Sequence, residues 1–530
     1  MTTVTERKTQ NRPSALIKEA AAITLIRPPR SQMDRQTRVL ATAAAGGIAA
    51  AIAVMILAEL NPGSWLPPKL VMPLYGPPWD VPSLLIPTGL VTGGLWLAAL
   101  AGGCAVAAGL VAVRRGARLR PGLLLGAGLI SVAVMTVLPP AGSTDILDYA
   151  TFGHIVMLGH SPYVWAPIHL RADGSQFGTF VPREWDTHVT LYGPLATFEQ
   201  YLAALLGGEN VARIVFWLKL WNAVAFAIVA VAADRLLRHD RAARLRAHLL
   251  WTVNPLLLWG LIAAGHVDMI AAGAGLLGLL LLRPRTGEVA PPAGQAIAAG
   301  LLLGAAADVK IPYMLFLVAA TWTVRRDLKP LLATTGAALA VLLPTYLWFG
   351  PPAVNAVLSR TSKVTADNFY QLFSGPYGFV YQHLLAVALA AALTLAALLL
   401  WRLPEAQSPV VALRIALALS CAWLLVWPYQ LPWYDAMIMC LLVFYPASRL
   451  DWIVLARLTA GTIALIPGNP YLSAGHVIDW LSHAILTAWT PAVLLACSLG
   501  LAWLCLSARW RLAPTETAAS VISKPIPVST

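Results

Sequence analysis

The sequence predicts an all-α fold, a polytopic membrane helical bundle of about 12–14 transmembrane helices, and three observations carry that prediction. Hydrophobic residues make up 58% of the 530 residues and charged residues 12%, against ~45–50% and ~25% in ordinary soluble chains. Apolar runs near the ~20 residues needed to cross ~30 Å of hydrocarbon recur along the chain. Basic residues gather in alternate connections between those runs. A water-soluble fold of this composition would expose too much apolar surface. The same composition excludes a disordered chain, a coiled coil and a disulfide-stapled domain. The five cysteines (Cys104, Cys421, Cys440, Cys497, Cys505) sit inside apolar runs without metal-ligand or redox spacing and read as small packing residues.

The elements follow in order. Residues 1–38 are polar and basic, and are expected to form a disordered cytoplasmic tail with no cleavable signal peptide. Spans follow near 39–60, 83–112, 121–139, 211–234, 248–264, 267–283, 293–309, 311–325, 330–349, 380–401, 410–428, 434–447, 452–467 and 483–507. An even count places both termini on one side. The splits around His266, Lys310 and Trp433 are short, so twelve or thirteen spans fit the same pattern. Residues 39–507 thus form one transmembrane domain, with a linker at 284–294 and a second disordered tail at 508–530.

Orientation follows from charge. Assigning each Lys and Arg to its nearer side puts 29 of the 37 on the face that holds Arg114, Arg115, Arg118, Arg120, Arg235–Arg246, Arg325, Arg326 and both tails. That face is expected to be cytoplasmic. The net charge of +13 is then mainly a topology signal with membrane lipids as its partner, and no nucleic-acid partner is implied. Histidines show the opposite bias: His154, His160, His169, His188, His266, His383, His476 and His483 fall on or near the outer face.

Between the third and fourth spans lies a long loop, 140–210, too aromatic and apolar for a disordered linker. Ser143 or Thr144 is placed to cap a helix in which Ile146, Tyr149, Phe152 and Gly153 recur at helical spacing, as do Val156 and Met157. A second apolar piece from Leu191 to Leu206 would put the Arg235–Arg246 loop outside if it spanned, so it is expected to lie in the membrane interface. Asp145 stands at the edge of the third span, just after Leu138-Pro139-Pro140. A carboxylate there is costly unless solvated or partnered. It reads either as a solvated helix-cap acid or as a general base at the interface, with Asp148 one turn on.

Asp145-Ile146-Leu147-Asp148-Tyr149, then Gly153, then Gly159 and Pro162-Tyr163, resembles the first-loop pattern of bacterial GT-C superfamily glycosyltransferases: D-x-x-x-Y, G, G-x-x-P-Y after an early span. It is most similar to the actinobacterial polyprenyl-phosphate-mannose-dependent α-1,6-mannosyltransferases, over about 120–450. The resemblance implies a GT-C-like bundle, an extracytoplasmic active site with Asp145 as catalytic base, and a lipid-linked sugar donor.

Three further stretches are candidate walls of that site. Gly265-His266-Val267-Asp268 sets a His and an Asp between apolar runs, where ionisable groups are expensive. They read as a hydrogen-bonded turn or as catalytic support, with His266 touching donor phosphate or sugar hydroxyls; a His-x-Asp turn recurs at this place in the similar mannosyltransferases. Lys310 in Asp308-Val309-Lys310-Ile311-Pro312 demands an anion, either Asp308 in a local pair or the phosphate of a ligand. The loop 350–379 brings Arg360, Lys363 and Asp367; Lys310, Arg360, Lys363 and Arg213 are the cations placed to meet one phosphate. Trp427-Pro428-Tyr429 and Trp433-Tyr434-Asp435 form an aromatic turn, either an interfacial belt or a surface for sugar and isoprenoid. Tyr149, Tyr163, Trp433 and Tyr434 are the expected sugar- or lipid-contacting residues.

No Walker loop, HExxH or nucleophile elbow is present, and there is no soluble α/β domain for a nucleotide sugar. The expected function is therefore a membrane glycosyltransferase of the plasma membrane. The resemblance implies that it moves mannose, with inversion, from polyprenyl-phosphate-mannose to a cell-envelope glycan or glycolipid such as a lipomannan, and the expected chemistry requires neither a cofactor nor a metal. The rivals are an arabinosyltransferase with the same type of carrier, and a transporter or flippase. The last predicts mid-span charges and an inverted repeat, and no repeat is evident.

Overall fold

The computed structural model describes residues 34–61, 84–284, 290–359, 364–373, 383–401, 409–466 and 475–507. All regular elements among them are helical. Both expected tails beyond these bounds, residues 285–289 of the linker, and the candidate phosphate ligands Arg360 and Lys363 lie outside the described residues.

The chain opens with a long antiparallel pair, α1 (Arg35–Glu59) and α2 (Thr88–Arg114). Helix α3 (Pro121–Val137) starts on a proline, whose missing N–H is no loss at a first helical position. The connecting segment then carries α4 (Asp145–Met157), α5 (Pro167–Ala172) and α6 (Pro194–Gly207), none long enough to cross a bilayer. Helix α7 (Val211–Leu236) follows. Next, α8 (Arg241–Ala263), loosened by two π-helical stretches, meets α9 (Asp268–Leu281) at a bend of 115°. The second half comprises α10 (Ala293–Val309), α11 (Met314–Val324), α12 (Leu328–Phe349), α13 (Pro351–Ser359), α14 (Leu384–Trp401) and α15 (Pro409–Val426). It ends with α16 (Ala436–Leu442), α17 (Leu450–Ala464), α18 (His476–Ala484) and α19 (Thr490–Leu506), the last two joined through a π-helical turn.

Six helices among the described residues are long and apolar enough to cross a membrane: α1, α2, α7, α12, α14 and the continuous α18–α19. The bent α8–α9 pair makes a seventh broken span. Counting its two arms separately, with the shorter apolar α3, α10, α11 and α15, gives twelve apolar helices. The chain is a polytopic helical membrane protein. The span expected at 434–447 is instead the seven-residue α16, wholly buried inside the bundle. Its apolar run signalled a core rather than a crossing. On α12 the exposed large apolar side chains are Leu328, Leu332, Leu339, Leu343, Leu347 and Trp348, the outward apolar face that a lipid solvent requires.

Several charges inside the bundle are paired, because an unsatisfied polar group in a low-dielectric interior costs several kcal/mol. Lys219, in the first half of α7, donates to Glu59 Oε1 at 3.1 Å and to the Leu138 carbonyl at 2.9 Å, with both charged side chains fully buried. At the Arg-rich end, Arg246 grips both oxygens of Asp451 at 2.5 and 3.0 Å and donates to the carbonyls of Leu442 and Tyr445.

The motif glycines have steric causes. A Cβ on Gly153 would fall 2.1 Å from the Gln200 carbonyl oxygen, so glycine lets α4 lie directly on α6. Gly159 adopts φ +84° where the chain leaves α4. The cap of α4 differs slightly from expectation. Thr144 holds the N-cap position without a side-chain bond, and the Ser143 hydroxyl accepts from the Asp145 N–H at 3.2 Å.

Candidate functional site

Helix α4 presents Asp145 and Asp148 in its first turn, three residues apart and hence on one face. Both line a cavity of about 700 Å³. Its walls come from the chain before α6 (Trp185, His188, Tyr192), from Lys310 and the turn into α11, and from the loop bearing Asp367. Trp423, Trp427, Tyr429, Trp433 and Tyr434 form an aromatic side. Phe152, Met314, Leu315, Val357, Leu465 and Leu486 add aliphatic and aromatic surface contributed in part by the membrane helices. A mostly apolar concavity with a few convergent polar groups is the usual form of a ligand site.

Beneath the cavity lies a polar cluster. The Asp145 side chain remains about 32% exposed, whereas His266, its neighbour, is fully buried. His266 Nδ1 stands 3.7 Å from Asp145 Oδ2 and 3.3 Å from the Tyr149 hydroxyl. Tyr149 donates to the Tyr192 hydroxyl at 2.9 Å. Burial pushes both phenols well above their ordinary pKa, so both stay protonated donors. The His266 ring stacks on Trp433 with centroids 3.5 Å apart. The 115° bend between α8 and α9 delivers His266 to this spot, and Gly265 in the turn takes φ +68°.

Lys310 bonds Asp268 Oδ2 at 2.5 Å and lies 3.9 Å from the ring centroid of Tyr434 and 5.7 Å from that of Tyr192. The Tyr313 hydroxyl donates to the Asp268 carbonyl at 3.0 Å. The local Asp308–Lys310 pair considered from sequence does not form. Residues two apart at the end of α10 point different ways, and Asp308 turns to α6 instead. There it accepts from the Leu195 N–H at 2.9 Å and from the Thr345 hydroxyl at 2.5 Å, so it caps α6 from a distant helix. A Cβ on Gly193 would lie 1.5 Å from the Asp308 carbonyl oxygen, which only glycine avoids.

The structure therefore gathers Asp145, Asp148, Lys310, Trp433 and Tyr434 at one cavity. His266, Asp268 and Tyr149 are buried behind its wall, supporting rather than lining it. Tyr163 is elsewhere: buried, its hydroxyl bonds the Tyr192 carbonyl at 2.9 Å and Thr197 at 3.0 Å, a strut between the α4 exit and α6. Arg213 is exposed at the start of α7 and does not line the cavity. Sequence reasoning did not single out Trp185, His188 and Tyr192 as site residues. Their signal was the density of aromatic residues in a loop too apolar to be solvated. Asp367, buried in the wall, has its carboxyl held above the usual range by desolvation, against the opposing pull of a Thr365 hydrogen bond and of Arg457.

Comparison with known proteins adds the following. The family model described as "Alpha-(1->6)-mannopyranosyltransferase, N-terminal domain" matches residues 44–326, just over half of the chain. A "Probable alpha-(1->6)-mannopyranosyltransferase" of Mycolicibacterium smegmatis is 29% identical over 144 residues, 27% of this chain and 26% of that protein. An alpha-(1->6)-mannopyranosyltransferase of Mycobacterium tuberculosis is 28% identical over 145 residues, 27% of this chain and 24% of that one. Alpha-(1->6)-mannopyranosyltransferase B of Corynebacterium glutamicum is 25% identical over 185 residues, 34% of this chain and 31% of that one. The matched segments thus span about a quarter to a third of these relatives. No solved structure matches.

Proposed function

The chain belongs to the alpha-(1->6)-mannopyranosyltransferase family, and from that premise we propose that it transfers mannose from polyprenyl-phosphate-mannose to a cell-envelope glycan or glycolipid at the extracytoplasmic face. The observation that carries this reading is the single cavity in which a half-open carboxylate, a buried ammonium and a broad aromatic and aliphatic wall meet. An amphiphilic, anionic donor needs all three: apolar surface for its prenyl chain, a cation for its phosphate and a base beside its sugar. The relatives' names support mannose as the sugar. The positive-inside bias supports the outward orientation.

The chemistry is one displacement. Asp145 accepts the proton of the acceptor hydroxyl as that oxygen bonds the anomeric carbon. The bond from that carbon to the phosphate oxygen breaks, and polyprenyl phosphate leaves with the electron pair. Attack opposite the leaving group inverts a β-linked donor into an α-linked product. Lys310, fixed by Asp268 and the Tyr434 ring before substrate arrives, meets the charge growing on the leaving phosphate without reorganising. The cavity aromatics stack on sugar faces and line the path of the isoprenoid.

The test is mannosyl transfer in membranes carrying Asp145→Asn, with radiolabelled polyprenyl-phosphate-mannose as donor. Loss of at least ~10²-fold in rate is expected for removal of a general base. Activity near the parent level removes Asp145 from that role and passes it to Asp148 or Asp367, the other carboxylates of the cavity.

A further inference from the structure

The histidine behind the cavity has a geometry that suits neither donor contact nor simple packing. His266 is fully buried and does not line the cavity, so it cannot touch a phosphate or sugar there. Three neighbours define its setting. Trp433 stacks on the ring and fixes its plane. Tyr149 spends its proton on Tyr192 at 2.9 Å, so the 3.3 Å contact between Tyr149 and His266 has the histidine as donor. That order of hydrogen bonds puts the ring proton on Nδ1. Nδ1 is also the atom 3.7 Å from Asp145 Oδ2, while Nε2 is buried with no hydrogen-bond partner.

We propose that His266 is the positioning residue of Asp145: its Nδ1–H, aimed by Tyr149 and held flat by Trp433, orients the carboxylate and stabilises its charged form. The inference rests on the reading of Asp145 as the base. The histidine reaches the acceptor only through that carboxylate. As Asp145 takes up the acceptor proton its charge is lost, and the contact with Nδ1–H weakens by the same step. The contact thus sets how basic Asp145 is at rest. At 3.7 Å the Nδ1–H faces Asp145 Oδ2 as a nearby dipole rather than as a hydrogen bond, and a donor dipole turned toward a carboxylate favours its charged form. The other charged groups around the ring are Lys310, held by Asp268, and Lys219 behind Gly265, held by Glu59. Both lysines are locked to their own carboxylates, so Asp145 is the acid whose environment changes most when the imidazole is removed.

The experiment compares His266→Ala, His266→Asn and Tyr149→Phe with Asp145→Asn, in purified full-length protein with radiolabelled polyprenyl-phosphate-mannose. For His266→Ala, kcat is expected to fall ~10²-fold, the cost of about 1 Å of misplacement at a reacting group. The KM for the donor should stay within twofold. The acid limb of the pH profile should move to higher pH. His266→Asn, whose side-chain amide returns a donor near the place of Nδ1, should recover at least tenfold of the lost kcat. Tyr149→Phe, which leaves the ring but removes its aim, should lose less than His266→Ala. In the Asp145→Asn background, His266→Ala should cost nothing further, since residues acting as one unit are not additive. A raised donor KM with unchanged kcat and pH profile overturns the inference and returns His266 to donor binding. A parent-like pH profile with no rescue by Asn overturns it in favour of packing. Full activity of Asp145→Asn is a different result, the failure of the base assignment itself. Near-parent melting temperatures for His266→Asn and Tyr149→Phe keep the comparison valid if the alanine variant misfolds, and the inference then stands or falls on the pH limbs of those two.

Discussion

Replacing Asp268 with Asn should destabilise the protein more than it perturbs any surface, and the size follows from the pair itself. The Asp268 carboxylate and Lys310 ammonium are 2.5 Å apart, with side-chain exposures of 1% and 8%. Removing one partner of such a pair costs ~3–5 kcal/mol, because the other charge stays buried without its counter-charge. The Tyr434 ring 3.9 Å away still faces the ammonium, and a desolvated cation–π contact is worth up to ~2 kcal/mol. An asparagine oxygen also still accepts a hydrogen bond. The expected loss for Asp268→Asn is therefore near the lower end, about 3 kcal/mol. Lys310→Met should cost more, about 5 kcal/mol. It strands a carboxylate that is 1% exposed and whose Oδ1 already lacks a hydrogen-bond partner. Replacing both, Asp268→Asn with Lys310→Met, should cost less than Lys310→Met alone, since neither charge remains buried. The assay is tryptophan-fluorescence unfolding of the detergent-solubilised variants against denaturant, with mannosyl transfer measured in parallel. The double variant should be folded but inactive, having lost the proposed phosphate cation. A shift below ~0.5 kcal/mol for Asp268→Asn, or a double variant that equals the sum of the singles, would refute the coupling.

Other outcomes follow from the same geometry. Gly193→Ala should destabilise by about 3 kcal/mol and abolish transfer, because its Cβ meets the Asp308 backbone at 1.5 Å and α6 must leave its seat. Wild-type-like melting and activity would show that the α6–α10 contact is loose. For His154, burial against Phe177 lowers the pKa despite the opposing pull of Glu209. The folded state thus binds fewer protons than the unfolded state below the unfolded value of ~6.5. Stability should fall as pH drops from ~6.5 toward the depressed folded pKa. His154→Leu should flatten that slope in melting curves between pH 5 and 7, and an unchanged slope would assign the acid sensitivity elsewhere.

The sequence made the polar breaks legible but not their partners. His266, Asp268, Asp308 and Lys310 stand out because ionisable groups inside apolar runs are costly, and each does serve an internal contact. Which contact each makes depends on helix directions that composition does not encode. Lys310 finds Asp268, 42 residues away, while Asp308, two residues away, caps α6. The first-turn acids of α4 were readable because helix periodicity and a boundary position coincide there. Trp185, His188 and Tyr192 were not, since a cavity wall is a property of the packed bundle rather than of any one segment. The Glu59–Lys219 pair left a trace, one acid and one base in separate apolar runs, yet nothing in sequence joins them. The apolar run at 434–447 matched a span in hydropathy but not in length, because a buried core helix and a short crossing look alike.

The stacking of His266 on Trp433 ties together parts of the chain made far apart, and this divides the molecule in an uneven way. Asp145, Asp148, His266, Asp268 and Lys310 all fall within residues 44–326, the stretch that the family model matches. Trp423, Trp427, Tyr429, Trp433 and Tyr434, on the facing wall, all come after it. Under the proposed function, the groups that break and make bonds are written in the first part of the chain and the surface that chooses the substrate in the last. A ribosome finishing residue 326 has produced every charge of the described polar cluster and none of that aromatic wall. An exchange of residues 409–466 between relatives would therefore alter the aromatic wall while leaving Asp145, His266 and Lys310 in the chain, provided Trp433 is kept to hold His266 and Tyr434 to hold Lys310.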